Sequence, residues 1–171
     1  LVTNDFKEIH MTQVAQVMTR GVRSMSPTDT LQFAARAMDE LDVGSLPVCD
    51  GGHVVGMVTD RDITVRGVAQ GLPVETTPLS EVMSEGVEYC FEDETIDDAT
   101  EQMQSAQIRR LPVLDRQKRL VGMLALGDVA AKANSDQAGE ALADISEPAE
   151  PDRSGFGADI GSGAGASRGV D

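Results

Sequence analysis

Thr59, Asp60, Arg61 and Asp62 follow directly on the apolar run Val54-Val55-Gly56-Met57-Val58. A hydroxyl, two carboxylates and a guanidinium at the exit from a strand can do two different things. As a capping box, Thr59 accepts a helix N–H, Asp62 returns a bond to the cap backbone, and the acids complement the helix dipole. No ligand is then needed. As a ligand site, the same turn offers the Thr59 hydroxyl, the Arg61 cation and free helix-start N–H groups to a phosphate. Asp62, an acceptor-only carboxylate, would take two hydrogen bonds from vicinal ribose hydroxyls. A second cationic feature, Arg109-Arg110, precedes the apolar run Leu111-Pro112-Val113-Leu114. Neighbouring strand residues face opposite ways, so one guanidinium is expected to face a cleft and seek an anion. The other reading is an ion pair with one of the 29 acids at the surface. For catalysis the residues are poor: no nucleophile is paired with a base and no glycine-rich phosphate loop is present. Asp60 and Asp62 could at most position a magnesium ion with ATP. Cys49, Cys90, His10 and His53 are too few and too scattered for a disulfide framework or a zinc site.

The elements that must position these groups come as an internal repeat. Val14 to Asp62 recurs as Leu79 to Asp128, first at an offset of 65 and, after one extra turn residue, of 66. Met18 matches Met83, Thr30 matches Thr95, Pro47 matches Pro112, and Asp62 matches Asp128. Cys49 aligns with Leu114 and Cys90 with Met25, which predicts buried apolar slots for both thiols. In the first copy, Leu31, Ala34, Ala35, Met38 and Leu41 share one face of a helix that Thr28 or Asp29 could cap. In the second, Ile96, Ala99, Met103 and Ala106 do the same, with Asp97, Asp98 and Glu101 outward. "LPVCD" with "VVGMVT" and "LPVLD" with "LVGMLAL" read as hairpins, and "VRSM" and "VEYC" as opening strands. Each copy is thus strand, helix, strand, strand, helix, giving an α+β class. Copies of this size are individually marginal, so the two are expected to pack face to face around a shared core.

The second copy tests the opening motif. It carries Ala125 for Thr59 and Gly127 for Arg61 but keeps Asp128, and capping alone would not obviously preserve the acid while losing the cap. The Thr59 turn therefore reads as the fuller ribose and phosphate set and the Asp128 turn as the weaker one, unless Arg109 and Arg110 compensate.

Composition narrows the partners. A net charge of −15, with aromatics at 3% and no Trp, opposes nucleic acid and anionic lipid surfaces. No apolar run reaches a membrane span and no basic-then-apolar leader opens the chain, so a cytoplasmic protein is the default expectation. The organisation reads as an N-terminal segment (1–13), a first repeat with linker (14–78), a second repeat (79–133) and a tail (134–171). In that tail eight acids face two bases among Gly, Ala and Ser, which predicts a disordered extension after, at most, a short helix near Gly139 to Ile145. Removing it after Ala133 is expected to leave a homodimer intact, since the segment lacks apolar anchors.

Taken together, "VMTRGVRSMSPTDTL", "LPVCDGGHVVGMVTDRDI", "VMSEGVEYCFEDETI" and "LPVLDRQKRLVGMLALGDV" closely resemble a tandem pair of cystathionine-β-synthase (CBS) domains, a Bateman module. The resemblance covers about residues 14–133 and is similar in layout to the free-standing hypoxic response subgroup. It implies two repeats related by a pseudo-twofold axis, packed through their sheets, with two clefts that take adenosine-containing ligands. It also implies a disc-shaped homodimer. By the same resemblance Thr59 and Asp62 hold phosphate and ribose, Gly44, Arg109 and Arg110 lie near phosphates, and Ser24, Val43, Tyr89 and Ile108 line adenine pockets. Asp128 keeps a ribose contact. The function implied is a non-catalytic regulatory module for AMP, ADP, ATP or an NAD-like dinucleotide, with no obligatory cofactor and an effector protein as a further partner. An interaction scaffold with vestigial clefts is the alternative, and a nucleotide-acting enzyme the weaker one.

Overall fold

The computed structural model describes residues 12–132 and 135–145. Its elements run α1 (Val14–Val17), β1 (Thr19–Arg20), α2 (Leu31–Leu41), β2 (Ser45–Asp50), β3 (His53–Thr59), α3 (Asp60–Asp62), β4 (Cys90–Phe91), α4 (Ile96–Ala106), β5 (Arg110–Leu114), β6 (Leu120–Ala125), α5 (Leu126–Lys132) and α6 (Ser135–Ile145). Helical backbone continues from α3 through a widened π turn, Ile63–Gly67, into a 3-10 turn, Val68–Gln70.

The repeat is visible in the local chemistry. Thr30 Oγ1 accepts from Phe33 N at 3.2 Å to start α2, and Thr95 Oγ1 accepts from Asp98 N at 3.1 Å to start α4. Both helices stop at a residue in the left-handed region, Asp42 and Gln107. The expected caps Thr28 and Asp29 do not serve: Asp29 instead accepts from Ser26 N at 2.7 Å and closes the preceding turn. The buried stripe of α2 is Leu31, Ala34, Ala37 and Met38, one position round from the expected face, so Ala35 and Leu41 are exposed. The opening strands are shorter than expected. "VRSM" contributes one parallel bridge, Met25 to Val48, and "VEYC" only the start of β4, parallel to β5.

β2 pairs antiparallel with β3, and β5 with β6, each hairpin with one register shift. What ties the copies together is an exchange. β1, in the first copy, pairs antiparallel with β6 of the second, Thr19 opposite Met123. Reciprocally, Ser84 of the second bridges Met57 in β3 of the first. Gly56 and Gly122 are where these strands cross: a Cβ would sit 2.8 Å from Ser84 O at the first and 2.6 Å from Thr19 O at the second. No side chain fits there without moving backbone.

The exchange also divides the core. One buried cluster joins Val14, Val17 and Met18 to the second copy's Cys90, Ile96, Met103, Leu111 and Leu124. The other joins Leu79 and Val82 to the first copy's Met25, Leu31, Met38, Val48 and Val58. The expected single shared core is therefore two cores, each completed by the other copy's opening segment. Burial pushes the Cys90 thiol up to about 12, with the Glu94 charge adding to it, as suits an apolar slot; Cys49 is only half-buried.

Within the tail, α6 is longer than the short helix expected at 139–145, and Ala141 is fully buried in the cluster that holds Cys90 and Leu111, with Ile145 packed against it. Cutting after Ala133 would remove Ala141 and Ile145 from that core. The rest of the tail, 146–171, and the segment 1–11 lie outside the described residues.

Candidate functional site

Two clefts open between the copies, and the exchange assembles each crosswise. The first, about 400 Å³, takes Asp128, Ala125 and Met123 from the second copy and Val22, Val43 and Pro47 from the first. Arg20, Arg23 and Arg110 stand around it. The second, about 840 Å³ and more open, takes Gly44, Thr59, Asp60 and Arg61 from the first copy and Val87, Ile108 and Arg109 from the second. Arg110 and Ser45 line both. Val43 thus serves the Asp128 cleft and Ile108 the Thr59 cleft, each lining the cleft of the other copy's motif. Arg109 lies in the bend before β5, where strand alternation does not apply, so both arginines line the Thr59 cleft rather than one pointing away.

Ser24 and Tyr89 are not among the residues lining either cleft. Ser24 hydrogen-bonds the Cys49 thiol, whose pKa burial raises and this bond lowers. Tyr89 stands edge-on to Phe91, ring centroids 5.6 Å apart, beside a separate surface hollow with His53 and Lys118.

The capping box at Thr59 is fully built. Thr59 N and Oγ1 donate to Asp62 Oδ2 at 3.0 and 2.7 Å, and Asp62 N donates back to Thr59 Oγ1 at 3.0 Å. Arg66 reaches Asp62 Oδ1 at 3.5 Å, and the Asp62 side chain, 14% exposed, does not line the cleft. The N–H groups expected to be free for a phosphate are spoken for as well. Asp60 N donates to Gly44 O at 3.1 Å and Arg61 N to Asp60 Oδ1 at 2.7 Å. An anion in this cleft must therefore rely on the guanidiniums, and Asp60, Glu85 and Glu88 line it too.

Asp128 is less committed. It accepts from Ala125 N at 3.2 Å, has Lys132 Nζ at 3.4 Å, and lines its cleft. Half a capping box survives without the hydroxyl, so retention of this acid does not by itself argue for a ligand. Its cleft has apolar walls and cations, although Arg20 and Arg23 also pair with Glu92 at 3.2 Å and Glu40 at 3.0 Å. Arg20 and Arg23 were missed from the sequence, yet a signal was there. "TRGVR" aligns with "SEGVE", so the first copy's arginines fall where the second has Glu85 and Glu88. No group of three or more His, Cys, Asp or Glu placed to hold a metal occurs among the described residues, and no helix among them is long and apolar enough to cross a membrane.

Two hairpin-and-helix repeats that trade their opening segments and enclose a pair of crosswise clefts define a tandem ligand-cleft module. The CBS domain model matches residues 14–66 and 79–134, and the chain belongs to this family. The CBS domain-containing protein YhcV of Bacillus subtilis is 44% identical over 137 residues, 80% of this chain and 96% of YhcV. The solved structure of Hypoxic Response Protein I with two coordinated zinc ions is similar at a TM-score of 0.66 and 35% identity, covering 71% of this chain and 98% of that one. CBSX2, solved in complex with AMP, shares the fold at a TM-score of 0.62 and 23% identity, covering 74% and 98%.

Proposed function

We propose that the chain is a non-catalytic regulatory module that binds an adenosine-containing ligand, and that the Asp128 cleft is its principal site. The observation that carries this is the meeting, in one cleft, of apolar walls with the Asp128 carboxylate and with Arg20, Arg23 and Arg110. A purine fits between Val22, Val43 and Met123, ribose hydroxyls suit a carboxylate, and phosphate suits guanidinium. CBS pairs take such ligands as a class, CBSX2 with AMP among them. This reverses the ranking expected from the motifs, because the Thr59 hydroxyl and the Asp62 carboxylate are engaged with each other. Occupancy would shift the packing between the copies, which a partner protein then reads. The molecule acts as a homodimer, an inference supported by Phe33, Val65 and Val68, which are 46%, 48% and 56% exposed on the first copy's helices.

Calorimetry and thermal shift with AMP, ADP, ATP, NAD and S-adenosylmethionine test the reading. Asp128→Ala is expected to cost about 2 to 3 kcal/mol of binding. Asp62→Ala should instead cost about 1 kcal/mol of folding stability through the lost bonds from Thr59 N and Oγ1, with a smaller loss of affinity. Equal binding by wild type and Asp128→Ala would remove the ribose role, and greater loss from Asp62→Ala would restore the opposite ranking.

A further inference from the structure

Arg110 opens β5 directly beside Ala125, and its pseudo-symmetric counterpart Ser45 opens β2 directly beside Thr59. The two positions meet: Arg110 Nη1 lies 3.5 Å from Ser45 Oγ, at the limit of a hydrogen bond. Both residues line both clefts. The molecule therefore places one cation where twofold symmetry would place two, at the wall that the clefts share. Arg110 makes no ion pair among the described residues, so no carboxylate there holds it to one side. A guanidinium on a long, jointed stem can turn to an anion in either cleft, but one group cannot give its best bidentate geometry to two anions at once.

We propose that Arg110 is a shared phosphate-binding residue that couples the two clefts negatively: an anionic ligand bound in one withdraws the guanidinium from the other. The inference rests on the nucleotide reading above and adds the rule by which the two sites interact. Because coupling is reciprocal, filling either cleft weakens the other by the same factor. The size expected is about fivefold to twentyfold, within the usual range for coupled sites. Adenosine, which lacks phosphate, does not draw on Arg110, so its two binding events stay independent. Replacing Ser45 by arginine would place a second guanidinium at the shared wall, beside Arg110, and remove the competition for it.

The test is titration calorimetry of the full chain with ADP and, separately, with adenosine. Blocking the first cleft with Asp128→Ala should raise ADP affinity at the Thr59 cleft by about fivefold to twentyfold over the second event in wild type. The same block in an Arg110→Ser background, or in Ser45→Arg, should leave that event unchanged, as should the block when the ligand is adenosine. An unaltered second ADP event after the Asp128 block would overturn the proposal. An equal rise in the Arg110→Ser background would overturn it too, since the coupling would then run through the backbone. If neither ADP nor adenosine binds wild type, the nucleotide reading fails and the shared-cation rule with it, a result distinct from two bound ligands that ignore one another.

Discussion

Asp115 closes the turn of the second hairpin while being 7% exposed, and it does so by collecting donors. Its Oδ1 accepts from Gln117 N and Arg119 N, each at 2.9 Å, and its Oδ2 lies 2.7 Å from Arg119 Nη2. The Arg119 backbone N–H above all, then the guanidinium and the Gln117 N–H, holds the carboxyl below the usual carboxylate range, against the opposing effect of burial. A depressed native pKa means stability that is present above the unfolded value of about 3.9 and is lost as pH falls through the native one. Asp115→Asn should therefore melt below wild type at pH 6, with the gap closing in thermal scans as pH drops from about 4 toward 2. A gap independent of pH over that interval would assign Asp115 a packing role only. The sequence pairs Asp115 with Asp50 across the repeat but does not show that only the former is buried, because Gly51-Gly52 and Arg116-Gln117-Lys118 build different turns.

At the scale of elements, the joint that matters is the crossing of each copy's entry strand over the other's hairpin. Gly56→Ala and Gly122→Ala each force a Cβ against a carbonyl oxygen, so each should destabilise by about 1 to 3 kcal/mol, as overpacking does. Urea unfolding checks this. A neutral result at both positions would mean that the entry strands can lift away at little cost. The two "VGM" triplets are legible in the sequence as a repeat, but the reason for the glycine is not. It depends on Thr19 and Ser84, residues 103 and 28 positions away along the chain. The helices were more legible in their periodicity than in their starts: the apolar spacing located α2 and α4, whereas the caps turned out to be Thr30 and Thr95 and not Thr28 or Asp29. The one-position rotation of the α2 face was not legible, because Ala35 and Ala37 are equivalent until a neighbour covers one of them.

For the whole molecule, the proposed homodimer predicts that association runs through the exposed Phe33, Val65 and Val68 of a chain carrying a net charge of −15. Val65→Glu with Val68→Glu should give a folded monomer by light scattering at micromolar concentration, with wild type a dimer; a wild-type monomer would reject the assembly. The chain alone determined that there are two copies of one unit, their helix and hairpin content, the candidate acids at 62 and 128 and the arginines at 109 and 110. Repeats and hydrophobic periods are local or self-referential, and can be read without knowing who touches whom. Tertiary structure alone decided that the copies exchange their entry segments, that two cores replace one, and that each cleft draws its walls from both copies. It also decided that Thr59 spends its hydroxyl on Asp62, and that Arg110 faces both clefts. Those outcomes depend on contacts between residues far apart in sequence, where a side chain's free lone pairs and the space around it are set by neighbours that no spacing rule names.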